Sequence, residues 1–130
     1  MKEVEDTIEK IIRWKKGYVH RSLRLGGPTK FGITMAMLAA YRRTKVTVAD
    51  INDLGVREAK MVYLEKYYFM PRFDRLPPVF RRMMVDSALR VGTKEAVREL
   101  QRLLNKAGQG PLSEDGVLGS KTLSAVRNGC

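Results

Sequence analysis

Residues 15–34 read KKGYVHRSLRLGGPTKFGIT, and this stretch is the most informative part of the chain about its fold. It is rich in residues that favour turns over a continuous helix, namely Gly17, Gly26, Gly27, Pro28 and Gly32. The chain on either side carries apolar residues at helical spacing. We therefore expect a loop or short-hairpin region set into a helical chain.

The residues before this stretch predict an amphipathic helix. Val4, Ile8, Ile11 and Ile12 fall on one face at the period of a helix. Carboxylates in the first turn suit the positive end of the helix dipole. The helix should end within residues 14–17, where the glycine-rich stretch begins.

The residues after it predict a succession of helices. Thr34 can cap a second helix that runs through Tyr41. Residues 47–54 predict a short helix or turn, and residues 56–68 and 79–91 predict two longer helices.

Two further helices complete the prediction. Thr93 is expected to cap the first of them, which Gly108 and Gly110 end, and Ser120 to cap the second. The core candidates of the last long helices are Phe80, Met83, Met84, Ala88, Val91, Ala96, Val97, Leu100, Leu103 and Leu104. The predicted fold class is mainly α, a single domain with a small loop or hairpin region.

Length and composition restrict the class of protein. A chain of 130 residues with 44% hydrophobic content fits one domain with a packed core. Its one cysteine, Cys130, excludes an internal disulfide. No segment approaches the roughly 20 apolar residues of a membrane span. The first residues are acidic and amphipathic, which predicts no signal peptide and synthesis in the cytoplasm.

The positive charge is concentrated in one window of the chain. There are 25 Lys or Arg and 14 Asp or Glu, a net charge of +11. Ten of the cations lie from Lys10 to Lys45, and no Asp or Glu lies between Glu9 and Asp50. This window therefore carries +10 and leaves +1 for the rest. Such a local excess indicates a surface field suited to an anionic partner.

The same window resembles a family signature. Family 108 glycoside hydrolases, which are phage and bacterial N-acetylmuramidases, share a pattern of roughly Glu-Gly-Gly-Tyr, a short acidic loop, and Gly-Gly-Pro-Thr-Lys-Tyr/Phe-Gly-Ile-Thr. The chain keeps this motif at Gly17, Tyr18, Gly26, Gly27, Thr29, Phe31, Gly32 and Thr34. The resemblance implies a lysozyme-like fold and places these residues in structural positions.

The later part of the chain resembles the peptidoglycan-binding-type segment that accompanies these enzymes. The segments DSALRVGTKEAVRELQRLLN (86–105) and EDGVLGSKTLSAV (114–126) carry its pattern. Its motif positions here include Asp115, Gly116 and Gly119. The resemblance divides the single domain into a muramidase-like part, residues 1–78, and a peptidoglycan-binding-type part, residues 79–130.

The resemblance fails at the residue that performs catalysis. Glycoside hydrolysis needs a carboxylic acid to protonate the leaving oxygen, and in the family this is the Glu that opens Glu-Gly-Gly-Tyr. That position is Lys15, and the aspartates of the family's loop correspond to Arg21 and Arg24. An ammonium is a poor acid near neutral pH. We therefore predict no catalytic residue. Other carboxylates of the chain are unfavourable substitutes for this catalytic acid. They are Glu9, Asp50, Asp53, Glu58, Asp74 and Asp86.

The former cleft is instead predicted to be a basic binding surface. Its residues are Arg13, Lys15, Lys16, Arg21, Arg24, Lys30, Arg42 and Arg43. The expected partner is anionic: an acidic capsid or tail protein, a cell-wall polymer, or nucleic acid. His20 is the only histidine and has no cysteine or second histidine near it, so no metal and no cofactor are predicted.

Three functions stay open at this point. The first is a catalytically inactive lysozyme-like protein reused as a structural or binding protein, for example in a phage virion. The second is an active muramidase (an endolysin) with an unusual acid. The third is a nucleic-acid-binding protein or an inhibitor of a nucleic-acid machine, whose binding should weaken steeply with salt.

Overall fold

The computed structural model describes residues 2–15 and 17–129. Within these residues the chain forms seven α-helices and one small three-stranded sheet, which confirms the prediction of a mainly α fold with a small hairpin region. The helices are α1 (Lys2–Trp14), α2 (Met35–Arg42), α3 (Val48–Asn52), α4 (Val56–Leu64), α5 (Pro78–Val91), α6 (Thr93–Lys106) and α7 (Ser120–Asn128). None of the described helices is long and apolar enough to cross a membrane.

The chain divides into two compact units, residues 1–66 and residues 67–130. The first unit contains α1 to α4 and the sheet, and the second contains α5 to α7. The predicted single domain with a division at residues 78 and 79 stays a prediction.

The core of the first unit forms where α1 packs against α4. The predicted apolar face of α1 is buried at Val4, Ile8 and Ile12. Ala59 and Val62 of α4 are buried as well. The helical prediction for residues 56–68 is confirmed, except that the regular α-helix gives way to a π-helical turn after Leu64.

The glycine-rich stretch folds into the sheet. Its strands are β1 (Tyr18–Val19), β2 (Thr29–Lys30) and β3 (Ile33–Thr34), paired antiparallel in that order. Phe31 and Gly32 alone connect β2 to β3, with φ angles of +55° and +80°. Positive φ at both central residues is what a tight two-residue hairpin requires.

The start of α2 confirms the predicted cap. Thr34 is its N-cap, and its side-chain oxygen accepts a hydrogen bond from the backbone N–H of Met37 at 3.1 Å. Thr47 caps α3 in a reciprocal arrangement with Asp50, which satisfies two amide groups at once. The side chains of Thr34 and Thr47 thus fix the starts of α2 and α3.

The predicted caps of the last two helices were wrong by one residue. Thr93 and Ser120 are the first helical residues of α6 and α7, and Gly92 and Gly119 are the N-caps. The carbonyl of Gly92 accepts the first bond of α6, from Ala96 N–H at 3.1 Å. Gly92 has a φ of +90°, which a residue with a Cβ rarely adopts, so the cap falls on the glycine.

The core prediction for α5 and α6 was correct at most positions. Those buried as predicted are Met84, Ala88, Ala96, Val97, Leu100 and Leu104, while Phe80 is half-buried. Met83, Val91 and Leu103 were predicted wrongly, because they are exposed. Val85 and Gln101 are buried in their helices and lie on the inward-facing stripe.

Gln101 is buried because its amide is fully used. Its Nε2 donates to Asp115 Oδ1, to the carbonyl of Val117 and to Thr122 Oγ1, at 3.0 to 3.2 Å. Its Oε1 accepts from the backbone N–H of Gly116 at 3.0 Å. Because buried polar groups must be paired, this network fixes the turn around Asp115 onto α6. The motif residues Asp115 and Gly116 are therefore turn residues.

Candidate functional site

Lys15 lies where three elements of the first unit meet. Its backbone N–H donates to the carbonyl of Ile11 at 2.8 Å, which continues the last turn of α1. Its side chain lies over Gly32 in the β2–β3 turn: a Cβ at Gly32 would lie 2.8 Å from Lys15 Cδ and 2.5 Å from Tyr63 Oη. The Tyr63 hydroxyl donates to the carbonyl of Phe31 at 2.7 Å. Helix α4 therefore holds the turn against the base of Lys15.

The loop between β1 and β2 is ordered by its own hydrogen bonds. It contains one turn of 3₁₀ helix, Leu23–Leu25. The Arg21 guanidinium donates through Nε to the carbonyl of Gly27 at 3.0 Å, and the Gly27 N–H donates to the carbonyl of Ser22 at 2.9 Å. Arg21 therefore fastens the loop in addition to carrying charge. Gly27 is buried, and a Cβ there would lie 2.5 Å from Met35 Sδ.

Two lysines of the window lie beside aromatic rings. Lys15 Nζ is 5.9 Å from the centre of the Trp14 ring, and Lys30 Nζ is 5.5 Å from the centre of the Phe31 ring. Lys30 also donates to the carbonyl of Asn52 at 2.6 Å. These contacts orient the ammonium groups without neutralising them.

Arg42 differs from the other described residues of the predicted surface because it pairs with two acids. It forms a two-pronged hydrogen bond to Glu58, at 2.8 and 2.7 Å, and an ion pair with Asp50 at 3.5 Å. The hydrogen bond from Arg42 is the first cause that lowers the pKa of Glu58, and the bond to Glu58 raises the pKa of Arg42. Backbone hydrogen bonding from Thr47 is the main reason that the pKa of Asp50 is lowered. Arg42 adds little to the outward field.

The remaining described cations of the predicted surface have no acid beside them. Within residues 2–15 and 17–129, no carboxylate forms an ion pair at 4.0 Å or less with any of them: Arg13, Lys15, Arg21, Arg24, Lys30 and Arg43. We call these six residues the basic surface. Lys16 belonged to the prediction and lies outside the described residues. Unpaired like charges in one unit create the field that favours an anion.

The carboxylates of the first unit that were weighed as substitute acids are mostly engaged elsewhere. Glu9 accepts from Lys60 at 3.0 Å, and Asp50 and Glu58 share Arg42. A glycosidase acid must stay protonated near neutral pH, which requires a raised pKa. The pKa values of Asp50 and Glu58 are lowered instead.

The second unit offers no better candidate. Asp74 lies 3.5 Å from Arg72, and Asp86 lies 3.4 Å from Arg90 one helical turn away. The pKa of Asp115 is lowered by backbone hydrogen bonding at Val117. Among the residues that the structure describes, no group of three or more His, Cys, Asp or Glu side chains could hold a metal ion.

Comparison with known proteins identifies the family of the chain. The profile described as Glycosyl hydrolase 108 matches residues 8–92, and the profile described as Putative peptidoglycan binding domain matches residues 93–128. The solved structure of Brucella abortus SagA is 33% identical, with a TM-score of 0.70, and the match covers 95% of this chain and 70% of SagA. No curated protein matches the chain. The chain therefore belongs to the glycosyl hydrolase 108 family and carries a putative peptidoglycan-binding segment after it.

Proposed function

We propose that this family member binds cell-wall polymer without cleaving it. The observation that carries the proposal is a lysine, Lys15, where the motif resemblance leads us to expect the acid. No carboxylate among the described residues forms an ion pair with Lys15. Hydrolysis of a glycosidic bond needs a proton donor within hydrogen-bond reach of one specific oxygen. An ammonium at that place does not supply the proton at neutral pH.

The charge of the loop between β1 and β2 supports the same conclusion. The transition state of glycoside hydrolysis resembles a cationic oxocarbenium ion. Arg21 and Arg24 occupy the loop where the family has aspartates, so positive charge replaces negative charge at each place. Like charges near a developing cation raise its energy.

The matched segment at residues 93–128 supports a cell-wall polymer as the partner. The peptide stems of peptidoglycan carry free carboxylates, which complement the six unpaired cations of the basic surface. Nothing specific favours an acidic capsid protein or nucleic acid over this polymer. A place in a virion, predicted from the phage members of the family, would be tested by co-purification with particles.

The deciding experiment measures binding and cleavage on the same purified peptidoglycan sacculi. We expect the chain to sediment with the sacculi and to release no new reducing ends. Lys15→Glu restores a carboxyl at the family's acid position and is expected to give measurable release. Lys10→Glu, an equal charge change at an exposed position of α1, is the matched control and should give none.

Reducing ends released by the unmodified chain at a rate proportional to its concentration would overturn the proposal. That result would establish the alternative of an active muramidase with a different acid. Failure to sediment with sacculi, in a folded sample, would remove the cell-wall polymer as the partner.

A further inference from the structure

Large apolar side chains project from the same part of the first unit as the basic surface. Trp14 is 78% exposed, Leu23 is 70% exposed and Leu25 is 64% exposed, and Val19 is exposed as well. Single exposed apolar residues are ordinary, but four within twelve residues of the chain indicate a contact surface. A polymer of sugars and short peptides gives the two leucines little to bury against.

The fold holds these side chains outward. Trp14 ends α1, and β1 connects it to the 3₁₀ turn that carries Leu23 and Leu25. That turn is closed by the Gly26 N–H donating to the carbonyl of Leu23 at 3.0 Å, and Arg21 fastens the following glycine. The leucines therefore protrude from an ordered loop.

Cations alternate with the apolar residues along the chain. Arg13 and Lys15 flank Trp14, and Arg24 separates the two leucines. All three cations are exposed. We call these residues, together with Val19, the amphipathic patch: Arg13, Trp14, Lys15, Val19, Leu23, Arg24 and Leu25.

We infer that the amphipathic patch binds the surface of an anionic lipid bilayer. Trp and Leu side chains enter the boundary between headgroups and acyl chains, while Lys and Arg reach the phosphates on their long stems. Each cation near such a surface adds roughly fivefold in affinity. The net +10 of residues 10–45 complements the negative membrane and opposes docking of a second copy of this chain on the same patch.

This inference goes beyond the proposed function and does not depend on it. The cations of the patch serve both the wall polymer and the bilayer, whereas Leu23 and Leu25 serve only the bilayer. The two proposals therefore fail in different measurements, since sacculi contain no lipid.

The test uses the tryptophan of the patch as its own reporter. Trp14 is the only tryptophan of the chain, so its fluorescence reports on this patch alone. We expect a blue shift of its emission, together with co-sedimentation, on vesicles of phosphatidylcholine with phosphatidylglycerol. Vesicles of phosphatidylcholine alone should give neither, because they lack the anionic headgroups.

Variants separate the two parts of the patch. Leu23→Ser with Leu25→Ser should weaken vesicle binding by about tenfold or more and leave sedimentation with sacculi unchanged. Lys15→Glu with Arg24→Glu should weaken vesicle binding by at least about tenfold. Val79→Ser with Val117→Ser, at positions that are 77% and 62% exposed in the second unit, is the matched control and should bind like the unmodified chain.

Three results would overturn the inference. One is an unshifted Trp14 emission on the anionic vesicles. Another is full vesicle binding by the leucine variant, which would show attraction by charge alone. The third is a blue shift on soluble peptidoglycan fragments with none on vesicles, which would assign Trp14 to a sugar. Far-ultraviolet circular dichroism confirms that each variant is folded.

Discussion

Gly32 occupies a position where even a methyl group would require neighbouring side chains to shift. Its φ is +80°, and a Cβ would lie 2.5 Å from Tyr63 Oη and 2.8 Å from Lys15 Cδ. We expect Gly32→Ala to lower the free energy of unfolding by about 2–4 kcal/mol, because backbone strain and a clash act together. Urea unfolding followed by circular dichroism measures this loss.

Gly17 provides the matched control for that substitution. Its φ is +96°, but among the described residues other than its chain neighbours, no atom would lie within 4 Å of a Cβ there. Gly17→Ala should therefore cost only the backbone strain, about 1–2 kcal/mol. Equal losses at both positions would show that the contacts of Gly32 with Tyr63 and Lys15 contribute nothing.

The sequence motif predicted Gly32 correctly as a turn residue, but it contained only part of the reason that a glycine lies there. The motif marks Gly32 as a turn residue, and the positive φ confirms that. The close approach of Lys15 and Tyr63 depends on α1 and α4 packing together, which brings residues distant in sequence to one turn. A local pattern does not contain that information.

The helices α2, α3 and α4 are linked through Arg42, Asp50 and Glu58, and this link depends on pH. The pKa of Glu58 is lowered chiefly by its hydrogen bond from Arg42. A carboxyl with a lower pKa in the folded state stabilises the fold above its unfolded pKa, and this contribution is lost as the pH falls through the folded pKa. The free energy of unfolding should thus decline on acidification below about pH 5.

Glu58→Gln removes the titrating group and should make that decline shallower. Urea unfolding between pH 3 and pH 7, values chosen to span the carboxyl range, measures the slope. Glu99→Gln is the control, because Glu99 forms no ion pair within the described residues. An unchanged slope in Glu58→Gln would contradict the role of the Arg42 hydrogen bond.

The starts of the helices show where a side-chain preference is sufficient to predict the N-cap. Thr34 was predicted correctly as a cap because its side chain meets the free amide of Met37 directly. Thr93 and Ser120 carry the same chemistry, yet each follows a glycine that already occupies the N-cap position, with positive φ at Gly92 and an extended backbone at Gly119. Backbone conformation therefore overrides the side-chain preference at these two starts.

At the scale of the whole molecule, attraction to the wall polymer should be electrostatic. Arg13→Glu with Arg24→Glu lowers the net charge from +11 to +7 within the basic surface. We expect weaker sedimentation with sacculi at low salt, and a smaller further loss when salt is raised, because screening has fewer charges left to act on. Arg21 is left intact in this variant because it fastens the loop.

Arg57→Glu with Arg82→Glu makes the same change of charge at exposed positions that do not belong to the basic surface. This pair should retain nearly all of the binding. Equal losses in the two double variants would show that net charge, and not the location of the cations, governs attraction to sacculi.

Counting charges identified the excess of cations in the sequence, but it did not show which of these cations the fold pairs with acids. The window from Lys10 to Lys45 contains no acid, so its excess was evident from the sequence. The neutralisation of Arg42 comes from Asp50 and Glu58, which follow the window in sequence and reach it only in the fold. The exposure of Trp14 could not be predicted from the sequence either, since an aromatic residue at a helix end is compatible with either core or surface.

Gly92 is both the last cap of α5 and the first cap of α6, so no spacer separates the two family segments. The boundary between the matched regions, at residues 92 and 93, thus falls inside the second unit, where α5 packs against α6. The segment that matches the putative peptidoglycan-binding domain therefore does not form an independent folding unit. A graft that moves residues 93–128 alone onto another protein would leave Ala96, Val97 and Leu100 without the helix that covers them, whereas a graft beginning at residue 67 would carry its own core.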